Sequence, residues 1–294
     1  MAARLSGLAT DHLGARSLGV RLQKSRLSLH ALLCCLAACG DRSSSTKRPH
    51  QATPTKIPAQ AQSNPQPPPA IPQPAPQSQN DPSVQRDEEG PIGVENSSGR
   101  SGAFYIPARS SLVALPLLVI LHGSGQSGAD MIATFRDLAK VHHFAIVAPD
   151  SRDQAGWEVG DKQSDVTPDL THTMDCIDWV RSHQHLLVDE SHVLIAGYSA
   201  GGSSAPYIGS NRRGFTHTAV LHGGVYPGGI GPRRIPAWFS TGDQDPARPA
   251  TLVQQSADAL TSLGFGGVVF RSYPGRHWLS DAELRDLIDW WLGP

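Results

Sequence analysis

From Gly102 onward the chain alternates short, almost wholly apolar runs with stretches patterned for helix, and that alternation limits the possible folds more than any other feature. The apolar runs are 103–106, 117–121, 145–148, 193–196, 219–221, 237–240 and 268–270. Several are apolar at successive positions, as in central strands covered on both faces. Between them the spacing predicts helices around 129–141, 169–183, 201–210, 251–263 and 281–292. The last opens with Ser280-Asp281-Ala282-Glu283, a capping box, and then sets Leu284, Leu287, Ile288 and Trp291 on one face. Gly264 stands where the preceding helix should end in a left-handed cap. Strand and helix alternating in this way imply an α/β fold, a mostly parallel sheet flanked by helices. No internal repeat is visible. Roughly 200 residues follow Asp81, enough for one such domain.

The chain upstream has a different character. Between Pro49 and Pro82 lie 11 of the 24 prolines and seven glutamines, a stretch too polar and too proline-rich to bury a core. Extended as polyproline II at about 3.1 Å per residue, 43–87 would reach on the order of 100 Å, so it reads as a tether. Residues 81–294 hold 16 Lys/Arg against 24 Asp/Glu, a poor surface for gripping nucleic acid. No apolar run is long enough to span a bilayer as a helix; the best, 27–38, is twelve residues and includes His30. That run follows Arg16, Arg21, Lys24 and Arg26 and ends in small residues, the parts of a secretory signal.

The chemistry sits at the ends of the predicted strands. Val193-Leu194-Ile195-Ala196 runs into Gly197-Tyr198-Ser199-Ala200-Gly201, a G-x-S-x-G nucleophile elbow between a strand and a helix. The elbow serine needs a base and an orienting acid, which follow in the order acid, then histidine. Asp243 and Asp245 compete for the acid's place. Asp245, three residues after Gly242, has the spacing usual for folds built on this elbow, which leaves Asp243 as a turn or surface acid. His277 follows the last strand, placed to take the proton from Ser199. The turn His122-Gly123-Ser124-Gly125 closes an apolar strand, so the backbone N–H groups of Ser124 and Ala200 are the expected oxyanion donors. His122 itself is read as a brace for that loop. Trp157 and Trp278 are candidate walls of the substrate pocket. His142, His143, His183 and His185 lack partners at metal-ligand spacing and read as surface residues, and the glycines at 223–229 do not form a dinucleotide fingerprint. No metal and no cofactor is expected.

With elbow, acid, histidine and H-G turn in order, residues 92–294 resemble the α/β-hydrolase superfamily. The stretches 121–127 and 197–202 look closest to polyhydroxybutyrate-depolymerase-like and feruloyl-esterase-like proteins, with dienelactone hydrolases and small carboxylesterases nearby. The resemblance implies cofactor-free ester hydrolysis through an acyl-enzyme, with Ser199, Asp245 and His277 as the triad. Members of the depolymerase group often carry cysteine where this chain has Ser124. Only about a dozen residues separate Leu221 from Ile235, too few for a lid domain, which suits an accessible small-molecule or polymeric ester rather than interfacial lipid.

At the N-terminus, Leu36-Ala37-Ala38-Cys39-Gly40 resembles the bacterial lipobox, in which the cysteine is lipidated after cleavage before it. That implies a signal at 1–38, a tether at 39–91 and a hydrolase domain at 92–294, held at the cell envelope through Cys39 on the periplasmic side or at the outer membrane. Cys34 and Cys35 would leave with the signal, so Cys176 alone would remain, with no intramolecular disulfide possible. The sequence thus points to an anchored serine esterase. A peptidase of the same fold shares the triad, and a catalytically silent envelope lipoprotein shares the fold, although an intact triad argues against the latter.

Overall fold

The structure is a computed structural model that describes residues 84–159, 166–224 and 229–293. The expected signal, Cys39 and the tether up to residue 83 lie outside the described residues.

Burial on both faces organises the sheet. In chain order the elements are β1 (Val84–Gln85), β2 (Glu88–Pro91), β3 (Gly102–Ile106), β4 (Arg109–Ser110), β5 (Leu115–Leu121), α1 (Gly128–His142), β6 (Ala145–Pro149) and α2 (Pro168–His183). There follow β7 (Val188–Tyr198), α3 (Ala200–Asn211), β8 (His217–Leu221), β9 (Ala237–Gly242), α4 (Ala250–Ser262), β10 (Val269–Tyr273) and α5 (Asp281–Leu292). Eight strands form one sheet in the order β2-β3-β6-β5-β7-β8-β9-β10, while β1 and β4 pair separately. The pairs β2–β3 and β3–β6 are antiparallel, and the pairs from β6 through β10 are parallel.

Each central strand feeds two cores. Leu117, Val119 and Leu121 pack with Val193, Ile195 and Phe239 beneath α2, α3 and α4. Leu118 and Ile120 pack with Leu194, Ala196 and Trp238 beneath α1 and α5. Both faces are therefore apolar, and successive residues of a central strand are all buried. The five helices start and stop within a residue of their expected limits. Ser280 and Glu283 form the reciprocal capping box at the start of α5, and Gly264 adopts φ +85 just beyond α4.

The boundary expected at residue 92 comes too late. β2 is the edge strand of the sheet, and its partners Glu88↔Ile106 to Pro91↔Ala103 make it part of the domain. Charges fasten this segment to α1: Lys140 lies 3.0 Å from Asp87 and Arg136 3.0 Å from Glu89. Asp87 also accepts the N–H of Ala108 at 2.7 Å. An edge strand needs only one apolar neighbour, so Glu-Glu-Gly-Pro forms one without an apolar run.

Trp291, 1% exposed, closes the core under α5 with its ring edge-on to Phe144 at 5.3 Å. Trp291→Ala is expected to lower stability by about 3–5 kcal/mol through the cavity it leaves. Urea unfolding measures this; a loss below about 1 kcal/mol would contradict the packing described.

Candidate active site

Ser199 sits in the turn between β7 and α3 at φ 52, ψ −110, a conformation L-residues avoid. Two glycines make the turn possible. A Cβ on Gly197 would be driven into the carbonyl of Gly201, and one on Gly201 into the carbonyl of Leu121. The Ser199 N–H donates to the Leu221 carbonyl at 2.8 Å, tying the turn to the end of β8.

The turn aims the Ser199 hydroxyl at His277, with Oγ 3.0 Å from Nε2. His277 Nδ1 lies 2.6 Å from Asp245 Oδ2. Asp245 is buried just past β9 and accepts five hydrogen bonds. Three reach Oδ2, from His277, from His222 Nδ1 at 2.7 Å and from the Thr241 hydroxyl at 3.3 Å. The other two reach Oδ1, from the N–H groups of Ala247 at 2.8 Å and Arg248 at 2.9 Å. Burial alone would push this carboxyl up, but the bonds from His222 and His277 and from the Arg248 and Ala247 amides outweigh it. They hold the carboxyl well below the usual carboxylate range. An ionised carboxylate only accepts, so His277 carries its hydrogen on Nδ1 and leaves Nε2 free to take the serine proton.

Asp243 has another task. Its Oδ1 accepts the Gly275 N–H at 3.0 Å, and its own N–H bonds the Tyr273 carbonyl, which shapes the loop carrying His277. The Tyr198 hydroxyl donates to the His277 carbonyl at 2.8 Å from the other side. Burial pushes that phenol up to about 12, so it remains a donor at working pH.

The expected oxyanion donors lie at the start of α3 and in the loop after β5. Ala200 is the first residue of α3, so its N–H has no partner within the helix. The Ser124 N–H likewise has no acceptor among the described residues. His122 braces this loop from within. Its buried Nδ1 lies 2.8 Å from the Gly123 carbonyl, and its Nε2 accepts the Ser151 N–H at 3.1 Å. Those partners require hydrogen on Nδ1 alone, and burial accordingly lowers its pKa. The Ser124 hydroxyl donates to the Ala155 carbonyl at 2.6 Å, and the Gly125 N–H to Gln154 at 2.8 Å.

Trp157 belongs to the same brace. Its indole N–H donates to the His122 carbonyl at 2.9 Å and its ring meets the imidazole at 5.0 Å, so its indole is engaged with the oxyanion loop. Trp278 is 53% exposed beside His277, where it can meet a substrate. Of the other histidines, His143 is the left-handed C-cap of α1, and His183 stacks on Trp179.

Two residues escape the sequence reading. His222, at φ 50 one residue past β8, and Glu283, in the first turn of α5, extend the hydrogen-bonded chain behind Asp245. Their signal was positional: His222 lies at the carboxyl end of a parallel strand, the edge where such sheets gather their chemistry. His222, Asp245 and His277 also bring potential metal-ligand atoms within 4.8 Å of one another. The 2.6 and 2.7 Å separations are those of hydrogen bonds, whereas ligands around a tetrahedral zinc stand about 3.3 Å apart.

Solved structures share this arrangement of sheet and helices. The chain is similar to an acetyl xylan esterase from Aspergillus awamori (TM-score 0.54, 13% identity, covering 69% of this chain and 98% of that one). It is also similar to an S-formylglutathione hydrolase from Staphylococcus aureus (TM-score 0.53, 15% identity, 71% of this chain and 100% of that one). The chain has the α/β-hydrolase fold. An acylaminoacyl peptidase from Pyrococcus horikoshii shares that fold (TM-score 0.51, 14% identity, 68% of this chain), but only 39% of the peptidase is covered. No protein-family model and no curated protein matches the chain. As expected for a hydrolase fold without a lid, no helix stands between β8 and β9 among the described residues.

Asp245→Asn is expected to slow modification of Ser199 by a fluorophosphonate about 10³-fold or more, because it spoils the His277 tautomer. Asp243→Asn keeps its acceptor oxygen and should stay within about threefold of wild type on the same reading of triad roles. The reverse order, measured by labelling rate, would move the acid to Asp243.

Proposed function

We propose that the protein is a serine hydrolase that cleaves accessible carboxylic esters through an acyl-enzyme. The observation that carries this is the continuous chain from Ser199 Oγ through His277 to buried, ionised Asp245. Ser199 attacks the ester carbonyl as His277 Nε2 takes its proton, and Asp245 stabilises the imidazolium formed. The oxygen of the tetrahedral intermediate turns to the N–H groups of Ser124 and Ala200. His277 then passes the proton to the leaving alkoxide, and a water activated by the same imidazole releases the acid. The reaction draws on no cofactor.

An ester fits better than an amide. The acetyl xylan esterase and the S-formylglutathione hydrolase named above are spanned almost end to end, whereas most of the peptidase has no counterpart in this chain. The absence of a helix between β8 and β9 among the described residues suits a soluble or polymeric substrate that reaches the serine directly.

We also infer that the domain works at a bacterial cell envelope, lipidated at Cys39 and standing off on the proline-rich tether. The support is the sequence 36–40, the basic and apolar segments before it, and the spacer after it. Among the described residues no helix is long and apolar enough to cross a membrane. Acyl chains contribute about 0.8 kcal/mol per buried CH₂, so several on one residue give a lasting anchor.

Ser199→Ala is expected to fold normally yet hydrolyse an activated ester at least about 10³-fold more slowly; comparable rates would overturn the hydrolase reading. For the anchor, wild-type protein in a bacterial host should incorporate labelled palmitate and sediment with membranes, and Cys39→Ser should do neither. Release of wild-type protein into the medium with an N-terminus other than Cys39 would contradict lipidation and leave the chemistry untouched.

A further inference from the structure

We propose that His222 and Glu283 are positioning residues of this site: His222 gives Asp245 a second N–H donor, and Glu283 holds His222 from behind. The inference rests on the serine-hydrolase reading and adds to it two residues that the substrate never touches.

The geometry is specific. His222 occupies the left-handed region at φ 50, a cost that a non-glycine residue bears only where its surroundings over-determine it. Its N–H donates to the Ser240 carbonyl at 2.8 Å, which turns the side chain inward, where it is fully buried. There Nδ1 approaches the same Asp245 oxygen that receives His277, at 2.7 against 2.6 Å, with the two rings edge to face at 5.4 Å. Because that oxygen only accepts, both Nδ1 atoms must carry hydrogen. Among the described residues, the titratable groups facing His222 are Asp245, Glu283, His277 and Tyr198.

Glu283 gives the second half of the case. A capping-box glutamate ordinarily lies in water at the start of a helix, yet this one is wholly buried. A buried carboxyl is costly unless it has partners. Oε2 meets the Ser280 N–H at 3.4 Å and His222 Nε2 at 3.3 Å, whereas Oε1 has no hydrogen-bond partner among the described residues. One proton between Nε2 and Oε2 satisfies both groups. Burial works against a charged His222, but its bonds to Glu283 and Asp245 outweigh burial and raise its pKa.

Two consequences follow for the triad. Held by two imidazoles and two backbone amides, the Asp245 carboxylate has no freedom to swing away from His277. Its charge is also shared between two imidazoles, so removing the His222 donor concentrates it on His277.

The test compares wild type, Glu283→Gln and the double variant His222→Phe/Glu283→Gln in kcat/KM against pH on an activated ester. Glutamine preserves the capping box, and the double change leaves no unpaired charge in the core. The double variant is expected to lose about tenfold at the plateau and to move the acid limb up by on the order of one pH unit. Glu283→Gln, which keeps the His222 donor, should lose several-fold less. A folded double variant with the wild-type plateau and limb would overturn the proposal. So would a single variant as impaired as the double, which would place the effect in α5 rather than in the donor. Proton NMR of wild-type protein gives a readout that needs neither turnover nor a folded variant. Two low-field imidazole N–H resonances are expected, one each from His222 and His277, and only one would contradict the shared carboxylate. If wild type neither hydrolyses the ester nor takes a fluorophosphonate while both resonances are present, the hydrolase reading fails and the shared carboxylate stands.

Discussion

Ser199 is held in a backbone conformation that costs on the order of 1–3 kcal/mol, and the surrounding structure is arranged to keep it there. Gly197 and Gly201 let β7 double back into α3 at a separation no side chain would permit. The bond from the Ser199 amide to Leu221 locks the turn to β8, which hands directly on to His222. Because α3 starts at the next residue, one strained turn sets both the direction of the hydroxyl and the position of the Ala200 N–H, the proposed oxyanion donor. The parallel sheet supplies the rigid frame. Its central strands are buried on both faces, so their carboxyl ends cannot shift without disturbing two cores.

Around that turn stand two braces. On the acid side, Asp245, His222 and Glu283 form a buried hydrogen-bonded series, while Asp243 and Tyr198 hold the loop that carries His277. On the side of the Ser124 loop, His122 and Trp157 bond the backbone after β5, and the Ser151 N–H holds the His122 ring. Each brace leaves its key group available, the Nε2 of His277 to the Ser199 hydroxyl 3.0 Å away and the N–H of Ser124, which has no acceptor among the described residues. The site is thereby organised before a substrate arrives, which is where most electrostatic catalysis by such sites originates.

The legible parts were those with a local signature. Continuous apolar runs announced the central strands, since burial on both faces leaves no polar alternation to blur them. The Ser280-to-Glu283 box announced α5. The elbow carried its own glycine requirement, and Asp245 and His277 followed from strand ends in chain order. The obscure parts depend on partners far away in sequence. Glu88–Pro91 looks like linker because an edge strand draws its order from β3 and from charges on α1, not from its own hydrophobicity. His222 and Glu283 are 61 residues apart, and neither has meaning until β8 and α5 bring them to 3.3 Å. Trp157 is a candidate pocket wall from sequence because an aromatic residue near a catalytic loop suits both substrate contact and packing; its bond to the His122 carbonyl, invisible in the sequence, shows which group its indole N–H engages.

The central claim is that Ser199 becomes acylated, and pre-steady-state kinetics with p-nitrophenyl acetate tests it most directly. A covalent intermediate predicts a burst of p-nitrophenol equal to one equivalent per chain before steady turnover. Enzyme quenched in acid during the burst should carry one acetyl group on the peptide that contains Ser199. Linear release with no adduct, or an adduct on a different residue, would contradict the account.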